Sequence, residues 1–75
     1  EKAVEAIAKA QQYFMADSSR LVLNGDGLNK GVLAIMKTYS GTKTANLARY
    51  YAGISYLKLG EFQNAINQLK DFSTD

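Results

Sequence analysis

Slid against itself by 34 positions, this 75-residue chain repeats a run of large, small, β-branched and large apolar residues in a single phase. Leu28, Gly31, Val32 and Ile35 fall on Phe62, Ala65, Ile66 and Leu69. Positions i, i+3, i+4 and i+7 share one face of an α-helix. The preceding residues correspond too: Ser19 with Gly53, Val22 with Tyr56, Leu23 with Leu57, and the turn Asp26-Gly27 with Gly60-Glu61. A unit of two short helices cannot bury both of its apolar sides alone. It must stack on a neighbour, so a period of this length narrows the fold more than composition does.

Helix boundaries follow from the same periodicity and from the turn residues. The first helix is predicted over residues 2–23, where Val4, Ile7, Phe14 and Leu21 recur at helical spacing with Ala3, Ala6 and Ala10 beside them. At ~1.5 Å per residue it spans roughly 33 Å, long for so small a domain, and Ser18-Ser19 is the place for a bend. Asn24-Gly25-Asp26-Gly27 reads as a turn, because these residues tolerate positive φ. Asp26 is then the expected N-cap of a second helix over 27–39. Leu28, Val32, Ile35 and Met36 form its apolar face, and Gly31 marks a close approach. Ser40-Gly41 ends it. Thr42 caps a third helix over 43–59, Gly60 closes that one, and Glu61 opens a fourth with a charge that complements its dipole. In this last hairpin, Asn46–Phe72, the small residues Ala52, Gly53 and Ala65 allow close approach, while Tyr56 and Leu69 fill the space between the helices. Four helices with short connections predict an all-α fold of antiparallel neighbours. The absence of proline agrees.

Composition excludes several kinds of chemistry. With 47% apolar and 21% charged residues the chain is suited to a packed core rather than to disorder. It has no cysteine and no histidine, which removes disulfides, thiolate and imidazole metal ligands, and the commonest general base. No metal or cofactor site is expected. Asn24–Gly27 fails as a calcium loop, since the first and last ligand positions would be Val22 and Leu33. It fails as a dinucleotide fingerprint as well, because Gly25, Gly27 and Gly31 have the wrong spacing and come after a helix. Ser18, Ser19 and Ser55 have no histidine to activate them, and the acidic residues form no acid–base pair. We therefore expect no catalytic residues. No apolar run reaches the ~18 residues that a membrane span needs. The opening EKAVEAIAKAQQ is not a signal peptide and reads as the middle of a helix, so we expect a fragment of a longer chain, with Ser73-Thr74-Asp75 as a second cut end.

Gly53 and Tyr56 in one helix, Gly60 at the turn, and Ala65 and Leu69 in the next helix stand at the spacing of the tetratricopeptide repeat (TPR) family, which residues 46–75 resemble; Phe62 suits the aromatic often found after the turn. Arg49 and Phe72 depart from that family's pattern, where a bulky apolar residue and an alanine are usual. Residues 12–45 keep the spacing with few of the signature residues and form a divergent repeat. Tyr39, Gly41, Thr42, Leu47 and Ala48 also resemble a segment of the YfgM-like tetratricopeptide proteins of bacteria. That likeness implies a position on the periplasmic side of a membrane, through an anchor outside this segment. The family resemblance implies stacked helical hairpins that hold other polypeptides on a concave helix face, here Leu47, Tyr50, Ile54, Leu57 and Lys58. The family's carboxylate-clamp mode is not expected, since no Lys-x-x-x-Asn occurs.

Three functional readings stay open. In the first, the chain is a protein-interaction scaffold whose partner lies along Leu47, Tyr50, Ile54 and Leu57, with Lys58 beside them. In the second, these side chains pack on the long first helix or on another copy, and the domain serves self-association or capping. In the third, an acidic polymer, anionic lipid or nucleic acid binds residues 27–60, which carry Lys30, Lys37, Lys43, Arg49 and Lys58 and no acidic residue. No nucleic-acid motif supports the third, and a net charge of +2 is small. Lys58 taken alone has the ordinary reading of a solvated surface lysine.

Overall fold

The structure, a computed structural model, describes residues 2–72, with side chains from Val4 onward. Glu1 and the expected cut end Ser73–Asp75 lie outside the described residues. The described chain is all-α, with helices α1 (Lys2–Met15), α2 (Ser19–Asn24), α3 (Val32–Thr38), α4 (Lys43–Lys58) and α5 (Phe62–Leu69). Five helices replace the four expected, because the long first helix is broken. Asp17 takes the left-handed conformation, with φ 58°. The Ser18 amide donates to the Tyr13 carbonyl at 2.9 Å and the Asp17 amide to that of Phe14 at 3.1 Å. This pair of bonds is the Schellman motif that ends a helix, with an aspartate where glycine is usual. The same motif ends α4 in its expected form: Gly60 has φ 78°, Glu61 donates to Tyr56 at 2.9 Å and Gly60 to Leu57 at 3.1 Å. Val4 and Leu21, expected on the apolar side of one long helix, are exposed.

The second helix also starts later than predicted, at Val32 rather than near residue 27. Asp26 does accept from the amides two and three residues ahead, Leu28 at 3.0 Å and Asn29 at 2.7 Å, as a cap would. The chain then folds back instead of winding into a helix: the Asp26 amide donates to the Asn29 carbonyl, and Asn29 Nδ2 and the Tyr13 hydroxyl both donate to the Asp26 carboxylate. Asp26 therefore organises an Asx-type loop, and Leu28, predicted on an apolar helix face, stands 95% exposed at its tip. Gly31 is the reason that the loop closes so tightly. A Cβ there would lie 2.3 Å from the Leu23 carbonyl oxygen, so only glycine lets α3 begin against the end of α2. The connection from α3 to α4 agrees with expectation, with Thr42 Oγ1 donating to the Tyr39 carbonyl at 2.6 Å and accepting from the Ala45 amide at 3.1 Å.

Helix α4 is the axis of the molecule, and every other described helix packs on it. Its buried residues are small, Ala45, Ala48, Ala52, Gly53 and Ser55. Ala48 and Ala52 join Ile7, Ala10, Val22, Leu23, Val32 and Ile35 in one core. On another side Gly53 meets α5 so closely that a Cβ would come within 2.5 Å of Leu69 Cγ. Ala65 of α5 is fully buried, and Tyr56 packs half-buried on the core. Of the expected hairpin contact, Gly53, Ala65 and Leu69 draw the last two helices together, whereas Ala52 and Tyr56 pack on the core.

The two close-approach glycines differ in what surrounds them. Gly31→Ala forces a methyl group into backbone that cannot yield and should cost at least about 2 kcal/mol in urea unfolding. Gly53→Ala meets a movable leucine side chain and gains about 1 kcal/mol of helix propensity, so its net change should stay within about 1 kcal/mol. The reverse order would show that the α2–α3 junction is the softer of the two. Acid should weaken the loop. The Tyr13 hydrogen bond, aided by those from Asn29, holds the Asp26 carboxyl well below its ordinary value of 3.8. A depressed folded pKa gives stability that is present above the ordinary value and is lost as the pH falls below it. Melting temperature should therefore fall as the pH drops below ~4, and Asp26→Asn should reduce that dependence, leaving the part that comes from the Asp17 carboxyl, which Lys58 also lowers. An acid limb of the same size in Asp26→Asn would place its origin elsewhere.

Candidate functional site

Of the five site residues expected from sequence, the four large apolar or aromatic ones lie along the side of α4 that α1, α2 and α3 leave open. Leu47, Tyr50 and Leu57 are each more than a third exposed, and Ile54 is half-buried between them. Their exposure is set by the helical period: Ala45, Ala48, Ala52 and Ser55 turn to the core, so residues about half a turn away must face outward. The row is bounded by aromatic rings from both ends of the chain. Phe14 of α1 packs on Tyr51 at 4.7 Å between ring centroids, Tyr51 meets Tyr50 edge-on at 5.9 Å, and Tyr50 meets Phe72 at 5.5 Å. The Tyr51 hydroxyl accepts from Gln11 Nε2 at 3.2 Å, which ties the row to α1.

Lys58 is exposed, as in the ordinary reading, and makes a surface ion pair. Its Nζ lies 2.6 Å from Asp17 Oδ1 and 4.8 Å from the centroid of the Phe14 ring. The hydrogen bond from this lysine, and its charge, lower the Asp17 pKa below the ordinary carboxylate value. The ion pair spans the gap between the α1–α2 turn and the end of α4, against a cleft lined by Asp17, Ser18, Ser19, Arg20, Leu21, Lys58 and Leu59. It also balances one of the five positive charges in residues 27–60. A second of these, Lys30, has its Nζ 3.4 Å from Thr38 Oγ1.

Sequence reasoning missed Phe14, Tyr51 and Phe72 as neighbours of the site. Phe72 carried a signal, since it departs from the alanine usual in the family that the hairpin resembles. The pairing of Asp17 with Lys58 crosses 41 residues and left no local trace. Among the described residues no helix is long and apolar enough to cross a membrane, and no three acidic side chains gather to hold a metal ion. No protein-family model, curated protein or solved structure matches the chain.

Asp17 combines a left-handed backbone with a charge partner, and the two can be separated. Asn also tolerates this conformation whereas Ala does not, so Asp17→Asn isolates the charge and Asp17→Ala adds the backbone penalty. Asp17→Asn should melt slightly below the parent at low salt and together with it in 1 M salt. Asp17→Ala should melt lower than both at every salt concentration. Equal melting of the Asn and Ala variants would show that the backbone conformation carries no strain.

Proposed function

We propose that the chain is a non-enzymatic protein-interaction module of tetratricopeptide type, holding a polypeptide along Leu47, Tyr50, Ile54 and Leu57 of α4. The observation that carries this reading is the row of large side chains left open on the helix that forms the axis of the fold. The residues that α4 buries fully are small, while Tyr51 and Tyr56 pack half-buried on the core and this row keeps its bulk outward. Such an apolar row on a rigid support, with tyrosine near its centre and a polar margin at Asp17, Lys58 and Gln11, has the composition of an interface centre. The 34-residue repeat supports the stacked-hairpin assignment, and the pairing of Lys58 with Asp17 weakens the reading as a site for acidic polymers.

A displayed library of random peptides panned on the immobilised protein tests this reading. Selected peptides should bind the parent and lose at least tenfold in affinity to Tyr50→Ala, whose melting temperature should change little because Tyr50 is partly exposed. Unchanged binding to Tyr50→Ala and to Leu57→Ala would remove the α4 row as the site.

A further inference from the structure

The row on α4 is poor in hydrogen-bonding groups. Leu47, Ile54 and Leu57 have no polar side-chain atom. At its margins the Tyr51 hydroxyl is taken by Gln11, Lys58 by Asp17, and Asn46 is engaged. The backbone of α4 bonds within the helix. Among the described residues the Tyr50 hydroxyl is therefore the one polar group of the row without a hydrogen bond.

This poverty decides the conformation of what can lie there. An extended segment carries an amide and a carbonyl at every residue, and those turned to the row would lose water without gaining a partner. A helix satisfies its backbone internally and presents side chains alone. Leu47, Tyr50, Ile54 and Leu57 are spaced by three, four and three positions, which sets them along ~15 Å of α4, about three turns. A second helix with the same spacing can interdigitate with them over that length.

Charge marks one end of the row. Lys43, one turn before Leu47 on the same side of α4, is exposed and has no partner among the described residues. It stands in the first turn, where no acidic residue offsets the positive end of the helix dipole. At the other end Lys58 is neutralised by Asp17. Arg49, two residues on from Leu47, turns to another side of the helix. Lys70 and Asp71, which precede the Phe72 that packs on Tyr50, are both exposed and opposite in sign. The bias that remains is the positive charge of Lys43.

We propose that the occupant of the α4 row is an amphipathic helix of a partner protein, with apolar residues at i, i+3, i+7 and i+10 and an acidic residue facing Lys43. This rests on the reading of the row as a polypeptide site and specifies the conformation and charge of the polypeptide.

Two displayed peptide libraries panned on the immobilised protein test the proposal. Both hold four apolar positions in the same polar background, spaced i, i+3, i+7 and i+10 in one and alternately in the other. The helically spaced library should be enriched at least tenfold over the alternating one. Its selected peptides, made synthetically, should gain helical circular dichroism on binding, and proline at a central position facing away from the apolar residues should weaken them about a hundredfold. They should carry Asp or Glu at one end. Lys43→Glu should then weaken them about fivefold at low salt and not in 1 M salt, whereas Lys37→Glu on α3 should leave them unchanged. Enrichment of alternating peptides that Tyr50→Ala releases would keep the row as a polypeptide site and overturn the helical occupant, as would tolerance of the proline. Unchanged affinity for Lys43→Glu at low salt would overturn the acidic contact. Enrichment from neither library would remove the row and this proposal together. Self-association of the protein that competes with the peptides would overturn the proposal by placing a second copy on the row.

Discussion

The closeness with which other helices approach α4 governs this structure. Ala45, Ala48, Ala52, Gly53 and Ser55 give that helix little bulk on the sides where it is packed. Helices α1, α2 and α3 can therefore reach it from one direction and α5 from another. In a domain of 8.2 kDa the core cannot be deep, and burial has to come from large residues of several helices converging on one thin post. Val22, Val32 and Ile35, all fully buried, supply that bulk. Each contributes about 1.5–3 kcal/mol by leaving water. Exchanging large and small residues between α4 and its neighbours would keep the composition and lose the architecture.

The same arrangement explains why the outward side of α4 is where function is sought. A helix with its small residues committed to the core carries its most exposed large ones elsewhere, and here Leu47, Tyr50 and Leu57 lie in one row with half-buried Ile54, while Tyr51 and Tyr56 pack on the core. Aromatic rings from α1 and from the segment after α5 flank the row, so its shape depends on all the packed elements. The ion pair at one margin and the hydrogen bond from Gln11 to Tyr51 fix α1 relative to the row. Loss of α1 packing would then distort the surface even though none of the four α4 side chains had changed.

The features legible in the sequence were local or periodic. The Thr42 cap, the Gly60 turn, and the seam of Gly53, Ala65 and Leu69 are set by residues three to sixteen positions apart, and the structure contains them as expected. The errors share a cause. Asp26 showed a true capping signal, yet a cap leads into a helix only if the next residues can wind on. Here Gly31 has to meet the Leu23 carbonyl, so α3 starts late and Leu28 is left outside. The break in the first helix falls beside Ser18-Ser19, where a bend was expected, but its left-handed residue is an aspartate rather than a glycine, and that aspartate pairs with a lysine far along the chain. For the site, positions on α4 came from the helical period, whereas Phe14, Tyr51 and Phe72 join it only through tertiary packing.

The two Schellman turns also differ in when they can form. Helix α4 carries its stop signal within itself, since Gly60 accepts the left-handed conformation at no steric cost. Helix α1 has no such residue, and the aspartate that ends it is held by a contact 41 residues away. Closing that long a loop loses chain entropy before the contact can repay it. The Lys58–Asp17 pair can therefore add to the end of α1 only once α4 has packed beside it. The α4–α5 hairpin is specified by its own sequence, and the first hairpin takes its final outline from the second.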